Sequence, residues 1–226
     1  ANSGEGTVSK IDTRMKKQLA KYQTYPGGNA DPSRTTVSLG GDIVVANRAW
    51  PAFTGNSNIR FASAVKIAGD KGNCQDRNKN GVIDTYEGTG PVPAAFQWTN
   101  ANMPSPDECV LWKTQLDTDP SGVPVTTAAY PDGTRPRAAG WDGEITDTSL
   151  SQYVYIGLFD TKEVIRLDGV TGAIVKRISV APTAPYGLAL DKNGSVWVMG
   201  RETSTGSLTK IDVKIATTPD TVATYT

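Results

Sequence analysis

Histidine is absent from the 226 residues. With it go the Ser-His-Asp triad, the Cys-His dyad, the imidazole general base and His-ligated zinc. An excess of either charge is absent too: 23 Lys and Arg stand against 23 Asp and Glu, which excludes a generic polyanion binder, nucleic acid included. No apolar run reaches the length of a membrane-spanning helix. The stretch from Ala1 lacks the basic, apolar and small-residue zones of a signal peptide, so any export signal is expected to have been removed already. Only two cysteines occur, Cys74 and Cys109. They are too few for a zinc site without His, but they suit one disulfide in an oxidising compartment.

What is present favours short strands. Hydrophobic residues make up 38% of the chain and charged residues 20%, enough to bury a core, while 23 Gly and 14 Pro supply tight turns. A repeat is legible. Pro32-Ser33-Arg34 through Val44-Val45-Ala46-Asn47-Arg48 lies without a gap on Pro185-Tyr186-Gly187 through Trp197-Val198-Met199-Gly200-Arg201, and a third copy starts at Pro136-Arg137 and resumes at Tyr153 after a short insertion. An alternating apolar/basic element follows each copy, as Ala64-Val65-Lys66-Ile67, Val164-Ile165-Arg166-Leu167-Asp168 and Leu208-Thr209-Lys210-Ile211-Asp212, and also opens the chain as Val8-Ser9-Lys10-Ile11-Asp12. Period-two alternation argues for strands. The one helix-like stretch, Arg14 to Ala20, reads by analogy as a turn followed by a strand.

Four strands per repeat make an all-β propeller blade. The Asp-x-Asn-Gly-x-Val-Trp-Val and x-Lys-Ile-Asp patterns resemble the propellers related to virginiamycin B lyase (streptogramin lyase) and the NHL-repeat proteins, over most of the chain outside residues 70 to 130. The resemblance implies a ring of six or seven blades. In the lyase it implies a catalytic His with acidic partners and magnesium, none of which carries over to a chain without His. Three expected segments follow: 1–69, a half blade plus three strands of a full blade; 70–131, an insertion; and 132–226, two further blades. Three and a half blades do not close a ring, so completion by the remainder of a longer polypeptide or by a protein partner is expected.

Inside the insertion, Asp76-Arg77-Asn78-Lys79-Asn80-Gly81-Val82-Ile83-Asp84-Thr85-Tyr86-Glu87 matches every constrained position of the twelve-residue calcium loop. The side chains of Asp76, Asn78, Asn80, Asp84 and Glu87 and the Val82 carbonyl would supply hard oxygens to Ca2+. Prolines at 91 and 93 leave no room for a flanking helix, so a structural clamp is expected rather than a sensor. Two Asn among the ligands point to a weak, extracellular type of site, with Kd on the order of 10⁻⁴ to 10⁻³ M. A Cys74–Cys109 disulfide would tie the loop down.

Blade topology places Arg34, Arg137 and Tyr186 at strand entries, with Asn47, Arg48, Arg201 and Glu202 after second strands, around one mouth of the channel. An anionic or carbohydrate ligand is one expectation for such a mouth. The plainer one is that Arg48 and Arg201 pair with acids of neighbouring blades. Trp141 and Trp197 fall at strand positions and are expected in the core; Asp12, Asp168 and Asp212 are expected to cap hairpins. The leading functional expectation is an extracytoplasmic binding or scaffold module. The alternative is a lyase- or lactonase-like enzyme whose site is completed by residues outside this chain.

Overall fold

The computed structural model describes residues 1–27, 30–48, 62–100, 103–117, 135–142, 153–201, 206–213 and 220–225. The chain is an arc of a β-propeller. A two-stranded half blade, β1 (Thr7–Asp12) and β2 (Lys17–Gln23), comes first. Three four-stranded antiparallel blades follow. Blade 1 is β3 (Pro32–Val37), β4 (Ile43–Asn47), β5 (Ser63–Ile67) and β6 (Val110–Gln115); blade 2 is β7 (Pro136–Trp141), β8 (Tyr153–Leu158), β9 (Glu163–Asp168) and β10 (Ile174–Ser179). Blade 3 is β11 (Pro185–Leu190), β12 (Val196–Gly200), β13 (Leu208–Asp212) and β14 (Thr221–Tyr225).

Residues 14–20 are the expected turn and strand. Asp12 accepts from the Arg14 and Met15 N–H groups at 2.8 and 2.9 Å, and Asp168 does the same for Val170 and Thr171 at 2.9 and 2.7 Å. Asp212 differs: it takes the Ser195 hydroxyl at 2.8 Å and the Lys210 ammonium at 2.7 Å. The insertion boundary drawn at 70–131 also needs correction, because it takes in β6, the outer strand of blade 1. The long excursion separates β5 from β6 and so breaks the repeat just before its fourth strand, which hides that strand from a search for self-similarity.

Blades stack by burying one apolar face each against the next. Val44, Ala46 and Ala64 of blade 1 meet Val154, Ile156, Ile165, Leu167 and Trp141 of blade 2. Tyr155, Val164 and Ile178 of blade 2 meet Val196, Val198 and Ile211 of blade 3. Val8, Ala20 and Tyr22 join the half blade to Val45, Val65 and Ile67. β-Branched residues dominate because a branched Cβ packs well on a pleated surface buried on both sides.

A basic residue on the third strand reinforces this stacking. Lys66 Nζ donates to the Gly169 carbonyl in the following blade at 3.0 Å, pairs with Asp42 at 3.1 Å and lies 5.2 Å from the Trp141 ring centre. Lys10 of the half blade donates likewise to the Gly69 carbonyl at 2.6 Å. The Gly69 turn lies against the backbone of a neighbouring turn. A Cβ at position 69 would overlap the Gly41 carbonyl, while the Gly69 N–H is held by Asp42 at 3.0 Å. Gly69→Ala should therefore force the two turns of blade 1 apart and lower unfolding free energy by about 1–3 kcal/mol in a denaturant titration; unchanged stability would contradict this packing.

Candidate functional site

The entry of each inner strand carries the same irregularity. Register shifts between Pro32 and Arg34, Pro136 and Ala138, and Pro185 and Gly187 leave one unpaired residue apiece: Ser33, Arg137 and Tyr186. A bulge bends the strand and re-aims its extra side chain. Here the repeated bulge directs Arg137 and Tyr186 to the same end of the arc, where Arg34 and Arg201 also lie.

Four of the seven sequence-predicted mouth residues converge. The guanidinium carbons of Arg34, Arg201 and Arg137 lie 5.0, 5.2 and 5.5 Å from the centre of the Tyr186 ring, one contributed by each blade. Arg34 Nε donates to the Arg137 carbonyl at 2.9 Å, which ties blade 1 to blade 2 at this point. Arg48 lies alongside but is neutralised, its ion pair with Asp31 measuring 2.6 Å and the Asp31 side chain being 1% exposed. The acid is therefore in the entry to the same blade, not in a neighbouring one. Glu202 lies outside the described residues.

Sequence reasoning missed the outer wall. Arg135 donates through Nε to Asp160 at 2.8 Å and sits 5.2 Å from the Phe159 ring centre; Phe159 in turn meets Tyr186 edge-on at 6.2 Å. The signal would have been a basic and an acidic residue at the two ends of β7 and β8, which become neighbours only once those strands pair.

Electrostatics mark the cluster as rich in positive charge. The Tyr186 phenol is held below its ordinary range, first by Arg137 and then by Arg201 and Arg34. Arg137 is pushed down by its own burial and by the cations Arg48, Arg135 and Arg34. Among the described residues no carboxylate pairs with Arg34, Arg137 or Arg201. Guanidinium groups remain charged at any ordinary pH. An anion entering the mouth would therefore meet three guanidiniums gathered around one ring, those of Arg34 and Arg137 half-buried and that of Arg201 exposed.

The insertion forms a second candidate site at the opposite end of β5. Asp76 accepts the N–H groups of Asn80 and Gly81 at 3.2 and 2.8 Å, Asn78 Oδ1 accepts that of Asn80 at 3.0 Å, and Asn80 Oδ1 that of Val82 at 2.8 Å. Gly81 supplies the positive φ of 82° that the turn requires. The Nδ2 groups of Asn78 and Asn80 both meet Asp84 Oδ2, at 2.7 and 3.2 Å. Asp76, Asn78, Asn80 and Asp84 thus belong to one hydrogen-bonded knot, and rotating the two amides would present their oxygens to the same place as the Asp84 carboxylate. The oxygen-only donor set suits a hard cation. Glu87 stands apart: it is 3.5 Å from Lys71 and largely exposed. Among the described residues no three acidic, His or Cys side chains gather at metal-binding distance.

The loop is held to the blade by residues that the motif does not contain. Glu108 takes the N–H groups of Arg77, Asn78 and Asp84 at 2.7, 3.2 and 2.9 Å. Arg77 Nη2 donates to the Ser105 and Asp107 carbonyls, both at 2.6 Å, and Nη1 to that of Val110 at 3.1 Å. The expected disulfide is formed between Cys74 and Cys109, with Cα atoms 4.4 Å apart, and Ile83 packs inward beside Cys74 against the cluster containing Trp98.

No family model matches the chain, and no curated protein does either. Among solved structures it is similar to the β-propeller domain of Cps50 (Swd1) from Myceliophteria thermophila, at 13% identity over 96% of this chain and 63% of that one, TM-score 0.36. It is also similar to BamB from Moraxella catarrhalis (13% identity, 94% of this chain, 57% of that one, TM-score 0.34). A third is a protein of unknown function from Bacteroides caccae (14% identity, 95% and 68%, TM-score 0.33). The chain spans 57 to 68% of the length of these three structures.

Glu108 gives this region a pH signature. Its backbone N–H donors, Asp84 first, hold its carboxyl below the ordinary value of 4.5. A depressed carboxylate stabilises the fold above its unfolded value and loses that contribution as pH falls through the folded one. The thermal destabilisation caused by Glu108→Gln should accordingly be full at pH 7 and shrink towards zero as pH is taken well below 4.5; a pH-independent difference would contradict the assignment.

Proposed function

We propose that this chain is an extracytoplasmic β-propeller binding module that takes an anionic ligand at the mouth formed by Arg34, Arg137, Arg201 and Tyr186. One observation carries the reading: three blades each deliver a guanidinium to one tyrosine ring, and no carboxylate among the described residues pairs with these three. A carboxylate, sulfate or phosphate group suits such donors through paired N–H contacts. The disulfide and a weak calcium loop both fit a compartment that is oxidising and rich in calcium. The arc is completed by further blades, from the remainder of a longer polypeptide or from a partner.

Binding of sulfate, followed by calorimetry at low ionic strength, tests the mouth. Arg137→Gln and Arg201→Gln should each weaken it by about tenfold, as expected for loss of one charge-assisted hydrogen bond. Equal sulfate affinity in both variants and the parent would overturn the reading.

In the insertion, Asp76, Asn78, Asn80 and Asp84 would hold Ca2+, with the Val82 carbonyl and Glu87 joining after Glu87 leaves Lys71. The ion would supply fixed charge that clamps the loop, not chemistry. Calcium at millimolar concentration should slow proteolysis between residues 75 and 100, and Asp76→Ala should abolish that protection. Identical digestion of the parent with and without calcium would remove the clamp.

A further inference from the structure

Single exposed apolar side chains are ordinary on a protein surface; their gathering at one end of a fold is not. Outside the insertion, the described connections between strands expose three large apolar residues, Met15, Leu39 and Val170, at 64%, 70% and 72%. All three stand at the end of the arc opposite the mouth, in the β1–β2, β3–β4 and β9–β10 turns, and Val37 beside them at the end of β3 is 60% exposed. At the mouth end, the connections 24–27, 159–162 and 180–184 expose none.

These tips belong to one braced surface. Lys10, two residues before Asp12, donates to the Gly69 carbonyl at 2.6 Å, and the Gly69 N–H is held at 3.0 Å by Asp42, in the turn that carries Leu39. Lys66 joins the same Asp42, at 3.1 Å, to the Gly169 carbonyl beside Val170, at 3.0 Å.

Charge is sorted at this end as well. The hairpin carboxylates are turned into their own loops: Asp12, Asp168 and Asp191 each accept two backbone N–H groups, and Asp42 is matched by Lys66. The cations are left outside. Arg14, Lys16 and Lys17 flank Met15, are all exposed and form no ion pair among the described residues; in blade 3 an exposed Lys192 takes the place that Leu39 has in blade 1.

We propose that this end of the arc docks on a bilayer carrying anionic lipids, with Met15, Val37, Leu39 and Val170 entering the headgroup layer and Arg14, Lys16 and Lys17 meeting the charged headgroups. The occupant is a bilayer rather than a folded partner because the apolar tips are separate. Polar turns divide them, so they form no continuous patch that could become the dry core of a protein interface. A fluid headgroup layer closes around separate tips, and in such a contact apolar burial and the attraction of cations to anionic lipid act together. The mouth then faces away from the membrane and stays open to solvent. The inference needs neither an anion at the mouth nor calcium in the insertion.

Co-sedimentation of the intact chain with lipid vesicles, at low salt and in the presence of a chelator, tests it. Phosphatidylcholine vesicles containing about 30% phosphatidylglycerol should bind the chain about tenfold more tightly, or better, than phosphatidylcholine alone. Met15→Asp, Leu39→Asp and the pair Lys16→Glu with Lys17→Glu should each weaken that binding by about tenfold while leaving the melting temperature unchanged, because all four side chains are exposed. A second readout needs no loss of binding. Leu39→Cys labelled with an environment-sensitive dye, the two native cysteines being tied in their disulfide, should shift its emission to the blue on anionic vesicles. No binding to anionic vesicles, equal binding to both compositions or an unshifted dye would overturn the proposal, as would an affinity indifferent to all three variants. Sulfate affinity of the chain without lipid is independent of these outcomes, so failure here and failure of the mouth can be told apart.

Discussion

Burial of each sheet between its neighbours is the constraint from which the other features follow. A single twisted four-stranded sheet with two apolar faces has no stable existence in water. Here the faces of successive blades share three clusters, each drawn from two sheets, and each includes β-branched residues from third strands. The latch lysines add direction to this packing. By reaching from one blade to a turn carbonyl of the next, Lys10 and Lys66 fix the stagger between sheets, where apolar contact alone would allow sliding.

That fixed stagger is what makes a site at the mouth. Arg34, Arg137 and Tyr186 come from the inner strands of three different blades, and Arg201 from the end of β12. Their convergence therefore depends on inter-blade geometry more than on any local loop. The repeated bulge does the rest by turning Arg137 and Tyr186 out of the ladder. Keeping Arg34, Arg137 and Arg201 close together works against stability because like charges repel. Asp31 and Asp160 relieve part of that strain by pairing with Arg48 and Arg135, and leave the three central guanidiniums without such relief among the described residues. The insertion stands at the far end of blade 1, where it joins β5 to β6.

Much of this was legible in the sequence because propeller blades are local repeats. The gapless match of residues 32–48 to 185–201 located β3, β4, β11 and β12, and the recurring Lys-Ile-Asp pattern located the third strands. Topology alone then sorted Arg34, Arg137, Tyr186 and Arg201 to one mouth. What stayed hidden depends on register and distance in space. The bulges are visible only after strands pair; Arg135 and Asp160 are 25 residues apart and become partners across β7 and β8. Strand β6 was lost because 42 residues separate it from its neighbour β5. Within the calcium motif, spacing identified the residues of the hydrogen-bonded knot but gave no hint that Glu108, next to Cys109, would occupy three of the loop's N–H groups.

The central claim is that the mouth is a prepared anion site rather than a set of solvated surface charges. Anomalous scattering from crystals soaked in selenate, a close analogue of sulfate, tests it most directly. The account predicts a selenium peak within hydrogen-bonding reach of the Arg137 and Arg201 guanidiniums, above the Tyr186 ring. A map with no peak there, in crystals that leave the mouth open to solvent, would contradict it.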